Sequence, residues 1–231
     1  NSRTTLFLFC VSETSARDNK VFSMIDKYFK QNVFGISAVE FIWGLGLPVV
    51  IESTFLQLFL KSLGASSFAI GFIPAFFFMG CSVFGLLSSY FTSDMAFKRG
   101  AVIWLHVISG VSLLFFGCFL FVFGKIPAII LVFFICYAIF SVCIGMTIPV
   151  WLNYAVNMFS AERTVTGFAY MIIAQNVARL ISSVLIVKWV EKYSFSLKAS
   201  SLIFISVGIL FALSAVLFLF TREVAREGKK N

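Results

Sequence analysis

Two carboxylates, a guanidinium and two amides stand inside stretches that are otherwise made of carbon. Glu40 and Glu52 share one apolar run with Gly44, Gly46 and Pro48 between them, and Gln175, Asn176 and Arg179 crowd one face of another. Polar and ionisable groups at membrane depth are costly, so they face a cavity, a partner or a solute. A buried guanidinium in particular needs an acid or a polar substrate to offset its desolvation. Arg179 is therefore expected to pair with Glu40 or Glu52, or to share a polar cavity with one of them, and depth does not choose between the two. On a straight helix those carboxylates would lie about 18 Å apart along the axis and about 120° apart around it, so they do not share one site. Each glutamate also has a plainer reading, as a packing or topology residue with a hydrogen-bond partner. Trp43, three residues after Glu40, can stack on a solute from the same face; as a packing or lipid-facing aromatic, the favoured reading, it needs none.

Other polar residues carry less. His106 is alone in its run and reads as a satisfied packing group rather than a proton carrier. Asn153 and Asn157, one turn apart, are expected to end a helix, since asparagine tolerates the left-handed cap conformation. Ser141 and Gly145, four apart, permit close helix contact. Cys10, Cys81, Cys118, Cys136 and Cys143 show no metal-ligand or disulfide framework spacing. No nucleophile, zinc or phosphate-loop motif is found, and no aromatic-interleaved basic patch. Enzymatic activity, a metal, a cofactor and nucleic acid are accordingly not expected.

The elements that must position these residues follow from composition. Hydrophobic residues make up 60% of the chain and charged ones 12%, with 31 Phe and 4 Pro, a balance outside the range of soluble domains. Six runs reach the length of about 20 apolar residues that spans a bilayer: Val33–Leu60, Phe68–Phe91, Ala101–Gly124, Ile126–Trp151, Gly167–Val190 and Ala199–Phe220. None alternates as a barrel strand does, which leaves helices as the spanning solution. The short links between them force antiparallel neighbours. The glycines and Pro48 in the first run predict a kinked or unwound helix there.

The net charge of +8 lies between the runs and at both ends. With the N-terminus inside, twelve Lys and Arg fall on the inner side and five on the outer, with Arg179 within a span, and the positive-inside rule then places both termini in the cytoplasm. Val21, Phe22, Met24, Ile25, Tyr28 and Phe29 recur at helical spacing opposite Lys20, Ser23, Asp26, Lys27 and Lys30. That pattern fits a helix lying in the membrane interface, or equally one packed on the inner end of the bundle. The organisation expected is a segment over 1–31, a bundle over 32–221 and the start of a cytoplasmic loop over 222–231.

Three links carry a family resemblance. Lys61-Ser-Leu-Gly64-Ala-Ser-Ser-Phe-Ala-Ile-Gly71 resembles the connection between the first two helices of major facilitator superfamily transporters. Asp94-Met-Ala-Phe-Lys98-Arg99 resembles the end of that superfamily's loop signature, with Tyr90 and Phe97 where the signature has glycines. Ala161-Glu-Arg163-Thr-Val-Thr-Gly167, after Pro149-Val-Trp151, is similar to the fourth-to-fifth helix link of its bacterial permeases. The resemblance covers roughly 32–220. It implies an all-α membrane fold of six transmembrane helices, arranged as two inverted three-helix repeats and forming one half of the full transporter. It also implies a gating charge network at Asp94, Lys98, Arg99 and Arg163, and a bacterial inner membrane. Cys136 and Tyr137 stand near the place where proton-coupled members often carry Arg, and the fifth run lacks the antiporter glycine–proline pattern, so neither proton antiport nor drug efflux is assigned.

The expected function is secondary transport of a small solute by alternating access, with Glu40, Trp43, Glu52, Gln175, Asn176 and Arg179 as cavity residues. The alternative is a non-transporting membrane scaffold or signalling protein. The chain opens on Asn1 and stops in a basic tail, so the simplest expectation is a fragment whose partner is a missing C-terminal half; a natural six-helix protein pairing with a second copy is the other.

Overall fold

The computed structural model describes residues 27–51, 54–93 and 95–223, and every element among them is helical. Six helices are long and apolar enough to cross a membrane: α1 (Phe29–Val50), α3 (Ser67–Thr92), α4 (Arg99–Phe123), α5 (Ile129–Met158), α6 (Thr164–Tyr193) and α7 (Leu197–Phe220). A short helix, α2 (Thr54–Leu63), follows α1. Phe68, Leu86, Tyr90, Val165 and Leu180 are exposed around the outside. An aqueous surface does not carry large apolar side chains so densely, and the chain is an integral membrane protein.

Two sequence expectations change in the structure. The run Val33–Leu60 is two helices rather than one span: α1 ends at Val50 and α2 starts at Thr54. Pro48 lies in the last turn of α1, where it cannot donate to the Gly44 carbonyl and so loosens the turn that precedes it. Tyr137 of α5 donates to the Val50 carbonyl at 3.1 Å, which satisfies an acceptor left open where the helix stops. Asn153 and Asn157 do not end α5, which continues to Met158 before the extended Phe159; the helix outruns its most apolar stretch by two turns. Val21, Phe22, Met24 and Ile25 of the expected interfacial helix lie outside the described residues, and Phe29 already belongs to α1.

α2 is amphipathic. Phe55, Leu56, Phe59, Leu60 and Leu63 share its buried face, and Phe59 sets its ring against Phe204 at 5.1 Å. Phe204 in turn meets Phe116 at 4.9 Å, so α2 closes one end of the bundle over an aromatic cluster from α4 and α7.

Within lipid, helices associate through close packing and hydrogen bonds rather than through exclusion of water. The packing here is ordered accordingly. α1 lies against α6 and α7, α4 against α7 and α5, and α3 along α5. The crossings are tightest at small residues. A Cβ on Gly80 of α3 would strike the Ser141 carbonyl, and one on Gly145 of α5 would strike the Gly80 backbone. Between α4 and α7, Gly110 and Gly208 meet the opposing backbone in the same way. A π-helical turn at Gly80–Phe84 widens α3 at its contact with α5.

The end of the bundle holding Phe29 and Thr221 is tied by polar groups. Asn32 donates through Nδ2 to the carbonyls of Met158 and Arg222, both at 3.0 Å, and accepts from the Arg222 N–H at 2.7 Å. Tyr154 and Thr221 share a hydrogen bond through their hydroxyls. Glu223 accepts from the backbone N–H groups of Lys98 and Arg99 at 3.0 Å, so a carboxylate following α7 caps the N-terminus of α4.

Candidate functional site

Helical periodicity assembles the site. On α1 and at its C-cap, Glu40, Trp43, Leu47 and Ile51 recur at i, i+3, i+7 and i+11; on α5, Ile144, Thr147, Ile148 and Trp151 recur at i, i+3, i+4 and i+7, and on α6 Phe168, Met171, Ile172 and Gln175 do the same. The three stripes face one another, with Phe77 of α3 and His106 of α4 filling the gaps. They line a half-open cavity of about 440 Å³, within the roughly 300–1,000 Å³ range of small-molecule sites.

Gly44 sets the depth of the α1–α6 approach. A Cβ there would lie 2.8 Å from the Ala178 side chain and would strike the Gln175 carbonyl. Ser182 adds a hydrogen bond to the Leu45 carbonyl, holding the same two helices together one turn further on. With the backbones this close, Gln175 Nε2 reaches Glu40 Oε2 at 2.5 Å. Glu40 is buried, and its other oxygen, Oε1, accepts from none of the described residues.

Trp43 is held on three sides. Its ring stacks on Phe211 at 4.0 Å and 6°, meets the edge of His106 at 4.8 Å, and its Nε1 donates to Ser214 at 3.0 Å. His106 contacts the Val102 carbonyl through Nδ1 at 2.8 Å. A carbonyl only accepts, so Nδ1 carries the proton and Nε2 is an acceptor in the neutral ring. Thr147 donates its hydroxyl to the Cys143 carbonyl at 2.7 Å. The Trp151 indole N–H is buried without a hydrogen-bond partner among the described residues.

Of the residues expected at this site, Glu40, Trp43 and Gln175 come together. Asn176 and Arg179 are not on the cavity wall; Arg179 Nη1 lies 3.4 Å from Asn176 Oδ1 on the more exposed side of α6. Of the two acids expected as partners of Arg179, Glu40 accepts from Gln175 instead. One residue turns a helix by 100°, so Gln175 faces inward while its neighbour Asn176 turns out. Glu52 and Asp94 lie outside the described residues. Lys98 and Arg99 meet Glu223 through backbone N–H groups, and the Arg99 guanidinium also donates to the Thr221 carbonyl at 3.3 Å. The Arg163 guanidinium sits over the Phe29 ring at 5.1 Å.

Thr147, Trp151, Phe77 and Phe168 were not expected on the wall. The i, i+3, i+7 stripes of α5 and α6 are visible in the sequence, but in helices apolar on every side nothing marks which stripe faces inward. No protein-family model matches the chain, and no curated protein or solved structure is significantly similar to it.

Proposed function

We propose that the chain forms one six-helix half of a secondary transporter of major facilitator type, which carries a small solute across the membrane by alternating access. The observation that carries this reading is the buried Glu40 carboxylate, paired with Gln175, on the wall of a cavity lined by five spans. A carboxylate kept at that depth in an apolar bundle is a functional signature before it is a structural one.

The packing supports the repeat. Exchanging α1, α3 and α4 for α5, α6 and α7 in order converts the contact of α1 with α6 into that of α5 with α3, and the contact of α4 with α5 into that of α7 with α1. The contact between α4 and α7 converts into itself. The helix starts Phe29, Ser67 and Arg99 are spaced much as Ile129, Thr164 and Leu197 are. Gly44 and Pro48 on α1 are matched by Gly145 and Pro149 on α5, four residues apart in both. Three antiparallel spans per repeat give the second repeat the opposite orientation, which is the inverted architecture of such transporters. The glycine of each pair sets a tight crossing and the proline weakens the helix one turn later, placing bendable points on the two spans that face the cavity most directly. The lysine and arginine distribution favours both ends of the bundle's chain on the cytoplasmic side, and the family resemblance implies a bacterial inner membrane.

Reconstituted flux tests the proposal. The natural protein in proteoliposomes, offered labelled anionic, neutral and cationic solutes in turn, is expected to exchange at least one of them, with Glu40→Gln about tenfold slower or worse. Fluxes equal to those of empty vesicles for every class would leave the scaffold alternative standing in its place.

A further inference from the structure

The chemistry of the cavity wall names a class of solute. Among the described residues the wall carries one carboxylate, Glu40, and no lysine or arginine. Its remaining hydrogen-bonding capacity is almost entirely that of acceptors. Glu40 Oε1 is unused, Thr147 Oγ1 has given its proton to Cys143, and His106 Nε2 is the acceptor nitrogen of its ring. Gln175 Oε1 adds another acceptor, and the second N–H of the same amide is the one side-chain donor left over. The indoles do not alter the balance, since Trp43 Nε1 is committed to Ser214 and Trp151 Nε1 is enclosed.

Aromatic rings complete the wall: Phe77 from α3, Phe168 from α6, and the indoles of Trp43 and Trp151. Ring faces attract cations, most strongly where water is excluded. A lone carboxylate in such surroundings is stabilised by a cation brought to it. A metal ion does not fit, because the described residues hold no group of three His, Cys, Asp or Glu side chains, and a hard cation would be left short of oxygens. A cavity of about 440 Å³ with one negative group and carbon walls suits a cation whose charge is dressed in carbon.

We infer that the cavity binds an organic monocation, a protonated amine or a quaternary onium ion, with Glu40 as its counter-charge and the aromatic rings as its walls. The inference rests on the transport reading for its role, though binding can be measured without transport.

The natural protein in nanodiscs is titrated with tetraphenylphosphonium, tetraethylammonium and tetraphenylborate, with empty discs subtracted for partition into lipid. Tetraphenylphosphonium and tetraphenylborate share a shape and differ in sign. At least one cation is expected to bind saturably, about tenfold or more tighter than the borate, and Glu40→Gln is expected to lose about tenfold or more of that affinity. Saturable borate binding as tight as that of both cations, no saturable cation binding, or unchanged affinity in a folded Glu40→Gln would overturn the assignment. The comparison of the two signs on the wild type decides the matter even where the variant does not fold. Exchange of a neutral or anionic solute without cation binding removes the cation assignment and leaves transport intact; cation binding without flux of any solute does the reverse.

Discussion

Gly145→Leu is expected to prevent the protein from reaching a monodisperse, folded state, while Gly71→Leu and Gly100→Leu are tolerated. At Gly145 even a Cβ would strike the carbonyl and carbonyl carbon of Gly80 and come within 3.0 Å of the Cys81 nitrogen. These are backbone atoms of a neighbouring span, and no side chain can swing aside to make room. Overpacking a core by a methylene or two costs about 1–3 kcal/mol, and a leucine between two backbones exceeds that range. The α3–α5 contact also lacks the compensation available in water, because lipid is as apolar as the leucine and offers no drive to bury it. At Gly71 and Gly100 a new Cβ would meet nothing within 4 Å. Size-exclusion profiles and thermal aggregation in one detergent compare the three variants. Equal behaviour at all three positions would mean that α3 and α5 do not cross at Gly80 and Gly145.

Trp43→Ala is expected to lower the melting temperature by about 10 °C, whereas Trp104→Ala leaves it nearly unchanged. Truncating a buried tryptophan costs about 3–5 kcal/mol, through lost contacts and the void left behind, and in a protein of this size each kcal/mol is worth roughly 2–4 °C. Trp43 bridges three helices: its own α1, α4 through His106, and α7 through Phe211 and Ser214. Its removal also orphans the Ser214 hydroxyl as an acceptor, although that group keeps its own donation to the Phe211 carbonyl. Trp104, on α4, is exposed. Thermal unfolding of the two variants side by side, followed by intrinsic fluorescence or dye labelling of buried thiols, is the check. A small shift for Trp43→Ala would show that its ring is not packed as described.

How much of this was legible in the sequence divides along physical lines. Span count came from apolar length, and the structure has six such helices, although the first ends at Val50 rather than Leu60 and the fourth runs on from Trp151 to Met158. The break near Pro48 was visible too, because proline and glycine act locally. The partner of Glu40 was not. Gln175 and Arg179, four residues apart, lie only about 40° apart around α6, so one face of the helix offers the carboxylate both an amide and a guanidinium. The depth at which α1 meets α6, set where Gly44 approaches the Gln175 carbonyl, brings the amide to it, and a mostly apolar helix carries no mark of that register. The glycine–proline match that supports the proposed repeat carried little weight for a related reason. Gly44 with Pro48 and Gly145 with Pro149 are readable as text, but glycine and proline are frequent in membrane helices, and the match gains meaning only once α1 and α5 are seen lining the same cavity. The partner of the α4 N-terminus, Glu223, lies 125 residues from Lys98, and no local pattern connects them.

The central claim is that the cavity between α1, α3, α4, α5 and α6 is a solute pathway open in turn to each side of the membrane. Two-sided labelling tests it without knowledge of the solute. With the native cysteines replaced, Thr147→Cys sits on the cavity wall, and Ser109→Cys, fully buried in the bundle, is the control. A membrane-impermeant maleimide applied to right-side-out and to inverted vesicles of the natural protein is predicted to modify position 147 from both sides and position 109 from neither. Modification of position 147 from one side only, or from neither, would contradict the account.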